Sequence, residues 1–129
     1  MRELLAVLLG GMLGTGLRLF ADALVPSGEA GFPLGTLLVN IAGSFALGLL
    51  VSRLWARAVH WLRAGLGPGL IGSFTTFSAV MVSLVEQASH GLWLLAAGYL
   101  LLSLGLGFAA AALGLRLGRL RLPIDWVDE

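Results

Sequence analysis

The sequence predicts an all-α integral membrane protein with four transmembrane helices, and three observations carry that prediction. The chain is 58% hydrophobic and only 12% charged, with a mean hydropathy of +0.96. That leaves too little polar surface to coat a water-soluble globule. Four long apolar segments cover residues 4–24, 34–54, 64–86 and 91–115 of a single 129-residue domain. Roughly 20 helical residues at 1.5 Å rise cross a hydrocarbon core of about 30 Å, so each segment is long enough to span. The third observation is where the charge lies: all eight basic residues are arginine, and seven sit in three places outside the apolar runs.

The first segment carries Arg18 and, near its end, Asp22. It is expected to be a span and not a cleavable signal peptide, because no small-residue cleavage site precedes a soluble domain and three more apolar segments follow. Pro26, Gly28, Gly31 and Pro33 then supply turn chemistry. The second segment ends in a basic, aromatic stretch containing Arg53, Trp55, Arg57, Trp61 and Arg63, the composition of a membrane–water interface. The third and fourth are joined by the short turn from Glu86 to His90, and the tail carries Arg116, Arg119 and Arg121 before Pro123 and an acidic end. Lipid-spanning strands are excluded, since the segments lack period-2 alternation and a closed barrel needs at least eight strands. With no cysteine, neither disulfides nor thiolate metal sites arise.

Orientation follows from the arginines. Arg2, the 53–63 loop and the 116–121 tail fall on one side, seven arginines in all, whereas the two opposite loops have none and hold Asp22, Glu29 and Glu86. The positive-inside rule therefore predicts a multi-pass protein of the cell inner (plasma) membrane with both termini cytoplasmic.

Polar residues inside a span are costly and mark a partner or a water-filled path. In the first span Gly10, Gly14 and Arg18 share one face at four-residue spacing. This reads either as a close helix contact with Arg18 paired to Asp22, or as a device for attracting anions. In the second, Thr36, Asn40 and Ser44 form another stripe, and the Asn40 amide cannot be satisfied within its own helix. Structural glue and a pore-facing donor both remain open for it. In the third, Gly65, Gly67, Pro68, Gly69 and Gly72 precede Ser73-Phe74-Thr75-Thr76-Phe77-Ser78, a clustering that predicts a helix broken near mid-membrane. Carbonyls freed by such a break could coordinate a cation. In the fourth, Tyr99 and Ser103 repeat the four-residue spacing, and Tyr99 lies away from the interface where tyrosine usually sits. His60 and His90 fall in loops on opposite sides, and no nucleophile–base pair or carboxylate pair is recognisable, so enzyme chemistry is not expected. Nor is a nucleic-acid partner.

Three ordered motifs carry a resemblance. Gly10-Gly11-x-x-Gly14-Thr15-x-x-Arg18 is followed by Pro33-x-Gly35-Thr36-Leu37-x-Val39-Asn40-x-x-Gly43-Ser44-Phe45 and by Gly72-x-x-Thr75-Thr76-Phe77-Ser78. Together they resemble the Fluc (CrcB) family of fluoride channels, over all four helices and most of the chain. The resemblance implies a fluoride-selective channel subunit that exports fluoride from the cytoplasm and so protects against its toxicity. It also implies an antiparallel dimer with a sodium ion at the subunit interface. Carried over residue by residue, it implies a fluoride pathway of Arg18, Thr36, Asn40, Phe77, Ser78, Tyr99 and Ser103, with sodium held by backbone carbonyls of Gly72 and Thr75.

The chemistry is consistent with that implication. Fluoride holds its water tightly, so a pore must replace the shell with hydrogen-bond donors, and the electropositive edge of a phenylalanine ring can face an anion. The chain departs from the family where Ala79 and Val80 stand in place of Thr and Phe, and where Ser83 replaces a glutamate. Val80 lacks a ring edge, so a non-conducting or partly degenerate subunit of a heterodimeric channel is the alternative. A small multidrug exporter is a distant one, because that mechanism needs an acid inside the first helix, where this chain has Arg18. Seven arginines against none predict insertion in one orientation only. The antiparallel partner is therefore expected to be a related, inverted subunit, with a homodimer as the alternative.

Overall fold

A computed structural model describes residues 1–25 and 32–119. The turn residues Pro26, Gly28, Glu29 and Gly31, together with Arg121, Pro123 and the acidic end, lie outside the described residues. Helix α1 runs over Arg2–Leu24 and α2 over Leu34–Leu54. A third run begins with α3 at His60–Ala64, continues through a π-helical turn at Gly65–Ile71 and the short α4 at Gly72–Phe74, and resumes as α5 at Ser78–Ser89. The last helix, α6, covers Trp93–Arg119. Four stretches are long and apolar enough to cross a membrane: Arg2–Leu24, Leu34–Leu54, His60–Ser89 and Trp93–Arg119.

Glycines decide how these helices pack. Gly10 lies against the Gly65 carbonyl and Gly14 against the Leu70 carbonyl, so α1 runs parallel to the first half of the third stretch with backbones touching. A methyl group at either position would collide with a carbonyl oxygen. Gly107 lies by Ser44 and Gly118 against Ser52, a register that lays α2 and α6 side by side in the same direction, and Gly48 meets the Ala111 carbonyl and Gly114 the Phe45 carbonyl. In lipid, where apolar side chains gain little by associating, such close approach is how helices find van der Waals contact. The π-helical turn absorbs Pro68, whose ring cannot donate an N–H. Its Gly67 is covered by the ring of Trp55, close enough that a Cβ there would sit 3.0 Å from Cη2. At the α5–α6 turn, Gly91 takes φ of +74°, a conformation that favours glycine.

The glycine-rich stretch itself keeps a helical winding. The backbone leaves the helix only after it, at the Thr75–Phe77 linker, where Thr75 is extended with φ −82° and ψ 160°. Two side chains take the amides that a helix would use: Asn40 Oδ1 accepts the Thr76 N–H and Thr76 Oγ1 the Ala79 N–H. The same helix directions gather Arg2, Arg53, Arg57, Arg63, Arg116 and Arg119 at one end of the bundle and leave Arg18 towards the other. Leu37, Val80 and Tyr99 form the buried core, with Phe32, Ile41, Met81 and Leu84 packed around them.

Candidate functional site

The Thr75–Phe77 linker is held by α2. Asn40 donates from Nδ2 to the Thr76 carbonyl at 2.9 Å and accepts the Thr76 N–H on Oδ1 at 2.9 Å. The amide thus imitates a strand partner and satisfies two main-chain groups that the helix has released. One Nδ2 hydrogen remains unspent by this pairing. Thr76 Oγ1 accepts the Ala79 N–H at 3.2 Å, in the manner of a helix cap, and shares a 3.1 Å hydrogen bond with Ser78 Oγ.

These substitutions leave two carbonyls without their usual donors. In a continuous helix the Thr76 N–H would bond the Gly72 carbonyl, and the Ala79 N–H the Thr75 carbonyl. Asn40 Oδ1 and Thr76 Oγ1 take those N–H groups instead. Among the described residues, neither carbonyl gains a replacement backbone donor. Thr75 Oγ1 turns back to the Ile71 carbonyl at 3.0 Å. Two carbonyl oxygens without a backbone donor thus stand three residues apart, groups of the kind that could coordinate a hard cation, and Gly72 is exposed.

Beside the linker lies an elongated groove of about 520 Å³ between α2 and α6. It is mostly apolar, and its polar contributors include Asn40, Ser44, Thr75, Thr76 and Ser103. Phe77 stands at its edge with 70% of its surface exposed. Tyr99 lies beneath, fully buried, with its ring edge-on to Phe32 at a centroid distance of 5.5 Å. The hydroxyls of Tyr99 and Ser103 are neighbours one helical turn apart. Both are buried, and apart from their contact with each other neither has a hydrogen-bond partner among the described residues. A buried hydroxyl proton without an acceptor costs about 1–3 kcal/mol, so a pair with only each other is unusual.

The residues singled out from the sequence divide into three groups. Asn40, Thr75, Phe77 and Ser103 line the groove together, with Tyr99 under its floor. Ser78 and Gly72 flank the linker without lining the groove. Thr36, one turn before Asn40 and half-buried, does not reach it. Arg18 is also outside it: its Nε donates to both Asp22 carboxylate oxygens at 3.0 and 3.1 Å. Sequence reasoning missed the role of Thr76, whose main chain is the partner of Asn40 and whose hydroxyl starts α5. Its position just before an apolar run was the only available signal.

Comparison with known proteins places these features in a family. A family model described as CrcB-like protein, Camphor Resistance (CrcB), matches residues 5–115. The fluoride-specific ion channel FluC of Paracoccus denitrificans (strain Pd 1222) is 44% identical over 115 residues, covering 89% of this chain and 93% of that protein. The fluoride-specific ion channel FluC 1 of Mycolicibacterium paratuberculosis (strain ATCC BAA-968 / K-10) is 40% identical over 120 residues, covering 92% of this chain and 91% of that protein. The fluoride-specific ion channel FluC of Chelativorans sp. (strain BNC1) is 40% identical over 122 residues, with 92% of this chain and 98% of that protein covered.

Proposed function

Because the chain belongs to the CrcB-like family, we propose that it is a subunit of a fluoride-selective channel that lets fluoride leave the cytoplasm and so limits its toxicity. It transports an ion and is not an enzyme. The observation that carries this reading is the pair of buried hydroxyls on Tyr99 and Ser103, of which Ser103 lines the groove. Apart from each other they have no partner among the described residues, so at least one O–H is left to donate, and a small anion stripped of water needs such donors. Asn40 contributes its remaining N–H, and Phe77 offers a ring edge at the groove's lip. Thr36 and Ser78 extend the polar path on either side of this centre, and Arg18 favours anions at the arginine-poor mouth.

The carbonyls of Gly72 and Thr75 hold a structural sodium ion near mid-membrane, at a subunit interface. Their lack of amide donors supports this assignment. The ion supplies positive charge that offsets the cost of bringing an anion into low dielectric. The third span acts as a broken helix, and Asn40 keeps its two halves in register.

The working unit is an antiparallel dimer. Polar atoms lining an open groove at membrane depth are costly against lipid, and a second subunit covers them. Six described arginines gathered at one end, with Arg18 alone near the other, support insertion in a single orientation with both termini cytoplasmic in the inner membrane. The dimer partner is then a related subunit of opposite charge bias. A second reading, a non-conducting subunit that serves the partner's pore, is favoured by Val80, which packs inward against Leu37 and Tyr99 and offers no ring.

Fluoride efflux from liposomes tests these readings. The chain, alone or with its inverted relative, gives fluoride efflux that needs no proton gradient. A chain that conducts nothing alone but restores a partner's flux is the non-conducting subunit. Absence of fluoride flux from every correctly assembled combination overturns the channel reading.

A further inference from the structure

Asp22 is in a poor place for a carboxylate. It lies in the last turn of α1, where the helix macrodipole presents its negative end, and no basic residue shares that turn. Its pairing with Arg18 runs in the weaker of the two orders at four-residue spacing, cation before anion. The Asp22 side chain is also 46% exposed. Helix stability gives little reason for an acid here.

The electrical consequence is larger. The Arg18 side chain is only 16% exposed, and its Nε is shared by both Asp22 oxygens. Both Nη groups make no hydrogen bond among the described residues. Arg18 is the one described arginine towards this end of the bundle, where α6 also begins, with Tyr99 in its second turn. The one described arginine at this end is therefore offset by a carboxylate from its own helix.

Resting on the channel reading above, we propose that Asp22 is a positioning residue that brakes anion entry. It fixes the Arg18 guanidinium by Nε and cancels part of the field that draws an anion towards Tyr99 and Ser103. Neither Asp22 nor Arg18 lines the groove, so Asp22 acts on fluoride through the field at this mouth and not by contact. Removing the carboxylate charge raises the potential at this mouth and the local anion concentration with it. Salt screens that effect, because the Debye length falls from about 30 Å at 0.01 M to about 3 Å at 1 M.

The test is fluoride efflux from liposomes containing the assembled full-length chain, at low and at high ionic strength. Asp22→Asn keeps a hydrogen-bond acceptor for Arg18 but removes the charge. It raises flux about two- to fivefold at low ionic strength and not at high. Asp22→Glu restores the wild-type salt dependence. Asp22→Ser takes the place of the Asn variant if that one does not assemble. Flux equal to or below wild type at low ionic strength in the charge-neutral variant overturns the inference. So does an increase that survives high salt, since a merely structural change would not be screened. A silent wild type overturns the channel reading and this inference with it, whereas an active wild type with an unresponsive neutral variant overturns the inference alone.

Discussion

Removing the Asn40 side chain measures what holds the linker in place. Asn40→Ala deletes two hydrogen bonds of 2.9 Å, one in each direction, to the main chain of Thr76. Each such bond contributes about 1 kcal/mol net, and each polar group stranded without a partner costs about 1–3 kcal/mol. Two stranded groups give an upper estimate of about 6 kcal/mol. Thr76 is half-buried, so partial hydration brings the expected loss to about 2–3 kcal/mol. Against a whole stability of about 5–15 kcal/mol this is a large fraction. Asn40→Asp is a sharper instrument. It keeps the acceptor for the Thr76 N–H but sets a carboxylate oxygen against the Thr76 carbonyl and places a negative charge beside the anion path. Fluoride flux should fall steeply in the Asp variant, even in protein that assembles. The assay is denaturant-induced unfolding in detergent micelles, paired with fluoride efflux on the assembled fraction. An Ala variant within about 0.5 kcal/mol of wild type refutes the energetic reasoning, and undiminished flux in the Asp variant refutes a pore role for Asn40.

Replacing sodium by a large organic cation should lower dimer stability or flux, because the Gly72 and Thr75 carbonyls then lose their ligand; indifference of both, after time for slow exchange, removes the site. Gly14→Ala should destabilise by about 1–3 kcal/mol, since the new methyl meets the Leu70 carbonyl. Gly16→Ala, on the same helix with nothing within 4 Å, should be neutral or stabilising by up to about 1 kcal/mol; thermal unfolding of the two variants separates packing from propensity. Reporter fusions at the C-terminus should report a cytoplasmic location only, and comparable signal from both faces, with flux from this chain alone, establishes a homodimer instead.

The four spans and the family were legible because both depend on patterns that lipid imposes directly. A run of some 20 apolar residues has few other uses, and glycine at Gly10, Gly14 and Gly43 marks close approach in any membrane helix. The linker was harder to place. The glycines and Pro68, with Ser73-Phe74-Thr75-Thr76-Phe77-Ser78 after them, marked an interruption only as a stretch; within it Gly65–Ile71 winds as a π-helical turn and the departure from helix falls at Thr75–Phe77. Its position depends on Asn40, 36 residues away in sequence, donating to and accepting from Thr76. A contact of side chain to main chain leaves no mark on the residue whose main chain is used, so Thr76 could not be singled out on that ground. The spacing of Thr36, Asn40 and Ser44 placed three residues on one stripe. It could not say that the groove takes in Asn40 and Ser44 and leaves Thr36 out.

Most hydroxyls and amides around the groove are spent within the protomer. Asn40 is paired with Thr76, Thr75 Oγ1 with Ile71, Thr76 Oγ1 with Ser78 and Ala79, and Ser83 with the Ala79 carbonyl. Satisfying such groups internally is what a membrane protein must do, since lipid offers no substitute. Tyr99 and Ser103 depart from that economy, on adjacent turns of one helix, with Ser103 lining a mostly apolar groove and Tyr99 buried behind it against Val80. An apolar surround does not reward anions in general. It makes the loss of hydration severe for every anion, and returns energy only to one small enough to accept both hydroxyls at once. Under the channel reading, a larger halide spreads its charge and accepts weaker hydrogen bonds, so it recovers less of the hydration it gives up. Selectivity on that reading comes from hydroxyls of Tyr99 and Ser103 that no other described residue uses, and it should weaken in proportion as either hydroxyl is given a further protein partner.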